Sequence, residues 1–396
     1  MAGYHNFKTS PVGQVPKDWD VRTIDSIAVV TTGSQNTQDN VQNGQYPFYV
    51  RSQQVERINK WIFDTEGVVT AGDGVGTGKV FHYVNGKFGL HQRCYLIHDF
   101  VPEVNARFFY WLFSKFFYDR VHSMTAKSSV DSVRREMIAD MQVPIPPLTE
   151  QIKIATALSS IESLISQIGL LIEKKRRIQE GTMQLLMTGK SRLPGFEGAW
   201  NSNKMWELTA WDKFFSEVES YKQSKVVKYP YLLAADLAAM KQRSGDVRLL
   251  ATGDFDGWTS VEKAGSFLCE GEVVSIPWGG YANIKYTKGR FVTADNRIAT
   301  SLDVCRLNNK FLYYYMLVNQ SVINTFYRGA GIQHPSMQDV LDMDILYPSI
   351  KEQDAIVQVL SAMEDEINAL AAKQEKVILI KQGMMQELLT GKTRLI

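Results

Sequence analysis

The chain has 396 residues, of which 44% are hydrophobic, 22% charged and 11% aromatic, and its formal net charge is +2. That length predicts two or three domains with ordinary buried cores. Three widely spaced cysteines, Cys94, Cys269 and Cys305, exclude a disulfide framework and a zinc spacing, and a charge this balanced excludes nucleic-acid binding by bulk electrostatics alone.

Residues 1–145 form the first predicted globular unit, with fifteen basic and fourteen acidic side chains. Pro16-Lys17-Asp18-Trp19 reads as a turn with a tryptophan anchor. Ile24–Val30 is a short apolar segment that runs into the polar stretch Thr31–Asn40. Such a stretch is either an exposed loop or a set of amide and hydroxyl groups aimed at base edges. Strands are predicted at Tyr46–Val50, Glu66–Thr70 and Val80–Val84, and at Phe88–Ile97 with a break at His91-Gln92-Arg93. Glu103–Val121 is helix-like, and Phe108, Phe109, Leu112, Phe113, Phe116 and Phe117 at helical spacing predict core.

The glycine-rich segment Ala71–Lys79 invites a phosphate-loop reading, which fails. Asp73 stands where the pattern needs a glycine, Val80 replaces the metal-binding hydroxyl, and a strand follows instead of a helix. Gly189-Lys190-Ser191 and Gly391-Lys392-Thr393 fail as well, because Gln184 and Gln386 occupy the upstream glycine place.

Residues 146–193 form the first predicted long helix. Pro194–Trp200 is a linker rich in proline and glycine. Residues 194–345 hold the second globular unit, with Trp200 answering Trp19, Glu270–Val274 answering Glu66–Val69, Gly289-Arg290-Phe291 answering Gly86-Lys87-Phe88, and Phe311–Leu317 answering the aromatic helix. Its loops differ from those of the first unit. Residues 346–396 form the second long helix.

The two helical stretches are copies. Residues 144–193 match 346–395 at a constant offset of 202, so Glu150-Gln151 falls on Glu352-Gln353 and Gly181 on Gly383. A gap-free match over this length is an internal duplication. Ser349-Ile350-Lys351-Glu352 predicts a capping box in the second copy, and Thr149 is the candidate cap in the first. Leu158, Ile161, Ile165, Ile168 and Ile172, and in the other copy Leu360, Met363, Ile367 and Leu370, step by three and four residues. That spacing predicts a coiled-coil seam, with Lys175 and Gln374 as polar exceptions that fix register. Gly189 and Gly391 are predicted helix stops.

The proline-rich lead-in, the Glu-Gln pair, the long helix and the Leu-Leu-x-Thr-Gly-Lys or Leu-Leu-Thr-Gly-Lys ending, once mid-chain and once at the C-terminus, resemble the specificity subunit of type I restriction-modification systems. The resemblance implies an α+β fold: two α/β target recognition domains separated by two long antiparallel helices that form a coiled coil, with a pseudo-twofold internal repeat. It implies that each domain reads half of a bipartite stretch of double-stranded DNA. It implies docking of two methyltransferase subunits and of restriction-translocase subunits. S-adenosylmethionine would be held by the methyltransferase partner, and ATP and magnesium by the restriction partner. No cofactor and no catalytic residue are expected on this chain, and no membrane. The residues agree in that Ile145-Pro146-Pro147 lacks the acid or amide of an amino-methylating motif. With no signal peptide and no run of eighteen apolar residues, the expected location is the cytoplasm.

Candidate base readers are Gln35, Asn36, Gln53, His91 and Arg93 in the first unit, and Lys222, Gln223, Asn283, Asn296 and Gln333 in the second. Lys79, Lys127, Lys225, Lys285 and Arg328 are candidate phosphate contacts. Antiparallel helices of this length would work as a ruler between the two half-sites. The competing readings are a coiled-coil adaptor that binds only proteins, which the balanced charge suits, and a methyltransferase with an unusual site.

Overall fold

Each globular head is built on a six-stranded sheet of one topology. The computed structural model describes residues 7–125, 132–212 and 228–396. In the first head the strands are β1 (Val29–Thr32), β2 (Tyr46–Tyr49), β3 (Glu56–Ile58), β4 (Phe63–Ala71), β5 (Phe81–Leu90) and β6 (Cys94–His98). They lie in the order β1-β6-β4-β5-β2-β3. In the second head they are β7 (Thr209–Trp211), β8 (Val247–Leu250), β9 (Asp256–Thr259), β10 (Cys269–Pro277), β11 (Lys285–Thr293) and β12 (Asn296–Ser301), in the order β7-β12-β10-β11-β8-β9. Among these twelve strands, β2 with β5 and β8 with β11 pair in parallel and the other pairs are antiparallel. The duplication therefore covers whole halves of the chain, not the helices alone.

The pairing corrects one detail of the sequence alignment. Gly86 sits opposite Thr65, and Gly289 opposite Gly271. Both glycines have positive φ, near +100°, inside their strands, β5 and β11, a backbone conformation that favours glycine. With these glycine pairs matched, Glu66 answers Glu272 rather than Glu270. The side chains agree, because Tyr83 bonds Glu66 and Tyr286 bonds Glu272.

The aromatic helix Ala106–Thr125 packs on the first sheet. Phe109, Phe113 and Phe117 form a buried stack, with Phe81 edge-on to two of them. Burying each ring contributes roughly 1.5–3 kcal/mol, more than an exposed ion pair at about 0–1 kcal/mol. The heads are thus held by aromatic packing. In the second head the corresponding helix, Asn309–Val318, buries Phe311, Leu312, Tyr314 and Met316.

The long helices run Leu148–Met187 and Ile350–Leu388. The chain divides into two compact units, Met1–Leu170 with Ala371–Ile396, and Leu171–Leu370. The division falls inside each long helix instead of at its ends, so a head and parts of both helices form one unit. In the first unit Ile154, Ala155 and Leu158 share a core with Leu388 and Leu389. In the second, Leu186 and Met187 share a core with Ile356 and Leu360. In each unit the start of one helix meets the end of the other, which is antiparallel pairing. Leu158, Ile168, Ile172, Leu360 and Ile367 are buried, and Ile161, Ile165, Met363 and Leu370 are half-buried. The first long helix has the length and apolar composition of a membrane span, and this seam is what its buried apolar residues serve.

Both polar exceptions in the seam have partners. Lys175 pairs with Glu366 at 2.7 Å. Gln374 donates to the carbonyl of Ile165 at 3.1 Å, beside Gly169, where a Cβ would crowd the amide.

The expected caps are different in the structure. The first helix starts at Leu148, with the amides of Glu150 and Gln151 bonding the carbonyl of Pro147, so Thr149 is inside the helix and is not its cap. Glu352 turns its carboxylate to Arg192 and not back to Ser349, so no capping box forms. Gly189 and Gly391 end the helices in the left-handed region, and the amides of Ser191 and Thr393 reach back to Leu185 and Glu387.

The Glu-Gln pair gains a physical role. Buried Gln151 accepts from the amide of Asn105 and donates to the carbonyls of Glu103 and Pro146. Gln353 makes the same three bonds, to Asn308, Arg306 and Pro348. Each glutamine fastens a long helix to the loop that feeds the aromatic helix. Glu150 binds Arg394 through two bonds of 2.7 Å and accepts the indole proton of Trp19. Glu352 binds Arg192 through two bonds of 2.6 Å. The glutamate that opens one copy is thus clasped by the arginine that closes the other.

Candidate nucleic-acid interface

In the first head, four loops converge at the strand ends: residues 33–40, 50–54, 72–80 and 91–93. Gln35 bridges to His91, the His91 amide donates to Tyr49, and His82 contacts the Ser52 carbonyl at 3.1 Å. Asp73 takes one bond from Arg51 at 2.9 Å and one from Arg93 at 2.8 Å. Partial burial works to raise the Asp73 pKa, but the two guanidinium groups outweigh it and hold the carboxyl below its ordinary value.

The glycines of the segment 72–79 are explained by close approach. A Cβ on Gly72 would lie 2.8 Å from the carbonyl oxygen of Arg93, and one on Gly76 2.6 Å from that of Arg51. The segment is a saddle against which two arginines are seated.

In the second head, the loops 251–255, 278–284, 294–296 and 328–334 come together. Arg297 stacks on Trp278 at 3.7 Å and bonds Asp295 at 2.8 Å. His334 contacts the Trp278 carbonyl at 2.7 Å, and Tyr281 donates to Asp254 at 2.7 Å. The two heads thus carry different side-chain chemistry on one sheet topology.

Several expected readers have other work. Gln35 is buried, with its oxygen taking the Leu90 amide and its nitrogen donating to the Lys60 carbonyl. His91 is buried, and its Nδ1 accepts from the Arg93 amide, so the neutral ring carries its proton on Nε2, toward Thr37. Burial, with help from nearby Arg51, lowers its pKa. Asn296 is buried against the Leu250 carbonyl and Thr293. Lys285 gives its ammonium to the carbonyls of Gly253 and Phe255. Gln35, His91 and Asn296 shape the loops from within, which corrects their placement as base contacts, and the half-exposed Lys285 braces the loop at Gly253–Phe255.

Others lie at the surface. Gln53, Lys79, Arg93, Arg328 and Gln333 are exposed, and Asn36 and Asn283 are half-exposed. Lys79 lies 5.7 Å from the Tyr118 ring, and Arg328 pairs with Asp339 at 2.6 Å. Asn36 accepts from Gln92, and the Asn283 amide is 3.4 Å from Asp254. Lys127, Lys222, Gln223 and Lys225 lie outside the described residues. Among the described residues, no three His, Cys, Asp or Glu side chains are grouped to hold a metal.

Arg51, Asp73, Trp278 and Arg297 escaped the sequence reading. The only signal was Asp73 itself, the residue that breaks the phosphate-loop pattern.

The burial of Gln35 has a measurable consequence. Gln35→Ala leaves the Leu90 amide and the Lys60 carbonyl without their side-chain partner, and should destabilise the first unit by about 1–3 kcal/mol in denaturant unfolding. Gln53→Ala should stay within about 0.5 kcal/mol of the parent. Equal midpoints for the two variants would return Gln35 to the list of readers.

A sequence model described as the type I restriction modification DNA specificity domain matches residues 16–175 and again 218–379. The chain is 26% identical over 383 residues to the specificity subunit of the EcoDI type I restriction enzyme of Escherichia coli, covering 87% of this chain and 81% of that one. It is 24% identical to the putative MjaX specificity subunit of Methanocaldococcus jannaschii, covering 98% and 97%. Its fold is similar to the crystal structure of a type I restriction-modification S subunit from M. genitalium, with a TM-score of 0.67 and 15% identity over 93% of this chain and 96% of that one.

Proposed function

Because the chain belongs to the type I restriction-modification DNA specificity family, we propose that it is the non-catalytic reading subunit of a methylating and restricting complex that works on double-stranded DNA in the cytoplasm. Each head reads one half of a bipartite target. The unlike loop sets make that target asymmetric. The observation that carries this reading is the pairing of one sheet topology with two loop chemistries, an Arg-Asp-Arg cluster in the first head and a Trp-Arg-Asp cluster in the second.

The long helices space the half-sites and dock the partners. Leu164, Leu170, Leu379 and Ile380 in the first unit, and Leu171 and Ile178 in the second, are large apolar side chains at least 40% exposed on these helices. Apolar rows of this kind on helical rods suit other helices, and we assign them to two methyltransferase subunits. S-adenosylmethionine would sit on those subunits, and ATP with magnesium on restriction-translocase subunits.

The test is selection from a randomised DNA pool by the chain assembled with its methyltransferase subunits. The expected product is a motif of two unlike blocks at a fixed spacing. The balanced charge of both heads favours the adaptor reading, and a pool that emerges without any motif would establish it instead.

A further inference from the structure

We propose that Asp73 is a positioning residue for specificity: it holds Arg51 and Arg93 as a paired fork that reads guanine in the first half-site. This rests on the DNA-reading function proposed above. Three separate strand ends supply the group. Arg51 follows β2, Asp73 follows β4, and Arg93 precedes β6. One carboxylate oxygen faces each arginine. Each arginine gives Asp73 a single Nη1 bond, and among the described residues its other side-chain donors meet no protein acceptor. The arginine side chains are 40% and 59% exposed, whereas Asp73 is 22% exposed beneath them.

The backbone is built for the same purpose. Gly72 and Gly76 let the chain press against the carbonyls of Arg93 and Arg51. The Gly72 amide donates to Arg93, and the Gly72 carbonyl accepts from Val133. The aspartate is therefore fixed at its base, and the arginines are fixed by the aspartate. A free surface arginine loses rotamer freedom when it binds, whereas a held one has already lost it. A planar guanidinium fork matches the O6 and N7 acceptors of guanine in the major groove. Phosphate also accepts a guanidinium fork, but such a contact carries no sequence information, which is what the experiment separates.

The experiment sequences the methylated motif produced by the full complex carrying the parent chain, Asp73→Asn, Arg51→Lys or Arg93→Lys. Asparagine keeps the shape but loses the charge that holds two guanidinium groups. Lysine keeps the charge but loses the fork. Each variant should lower discrimination at guanine positions of the first half-site about tenfold, and leave the letters of the second half-site in place. A uniform loss of DNA affinity with every letter retained would overturn the proposal, since that is the behaviour of a phosphate contact or a loosened fold. Unchanged motifs in all three variants would overturn it too. A parent complex that yields no motif would sink the DNA-reading function itself, which separates the two failures. Should Asp73→Asn lower the melting temperature of the first unit, the two lysine variants still decide the outcome, because neither removes the carboxylate.

Discussion

Glu150→Ala should destabilise the first unit by about 3–5 kcal/mol, the usual consequence of leaving a buried charge without its partner. Arg394 is only 7% exposed at its side chain and Glu150 only 3%. Removing the carboxylate strands the guanidinium and also deprives the Trp19 indole of its acceptor. Asp18 still contacts Arg394, but it is 54% exposed and offers a weaker, screened charge. The hydrogen bonds that Arg394 donates to Glu150 and Asp18 raise its pKa above the ordinary value, so the charge persists at any accessible pH.

The matching change in the second unit, Glu352→Ala, should have a smaller effect. Arg192 is 26% exposed and reaches water once its partner is gone. Thermal unfolding monitored separately in the two units, by hydrogen exchange of the Trp19 and Trp200 neighbourhoods, would rank the variants. Equal losses from Glu150→Ala and Glu352→Ala would show that burial does not set the strength of the clasp. A double-mutant cycle with Arg394→Met isolates the pair, since two neutral side chains leave no orphaned charge.

The clasp also shows where sequence reading stops. The offset of 202 places Arg192 on Arg394 as surely as Glu150 on Glu352, yet nothing local pairs the start of one copy with the end of the other. Local rules instead assigned Glu352 to a capping box. That assignment failed because a bidentate arginine outcompetes one backbone amide for the same carboxylate. The seam was legible, since apolar spacing is a local property that survives in any partner arrangement. So were the strand break at His91–Arg93 and the helix stops at Gly189 and Gly391, each set by its own backbone. The sheet order was not legible, because a strand's neighbour is chosen by long-range packing. Nor were the readers: Gln35 and Asn296 have the chemistry of base-reading side chains, but burial assigns them to the loop framework, and burial is a property of the fold. Asp73 was visible only as an obstacle to a motif that is absent.

Inserting four residues after Leu170 and four after Leu370 should widen the spacer of the target by one to two base pairs, with both half-sites unchanged. These points are where the two compact units divide, so each seam keeps its own contacts. Four residues add about 6 Å of helix at 1.5 Å per residue, and turn it by about 40° beyond one full rotation. A base pair advances DNA by about 3.4 Å and turns it by roughly 35°, given about ten pairs per turn. The rotation therefore matches one added pair, and the translation lies between one and two. An insertion in one helix alone is the control. It slides one rod past the other by a turn, so that Glu150–Arg394 and Glu352–Arg192 cannot both close, and methylation should fail. Sequencing of methylated adenines distinguishes the cases. A spacer that stays constant under the double insertion means that something other than the helices sets the separation, and altered half-site letters mean that the heads do not read independently of the rods.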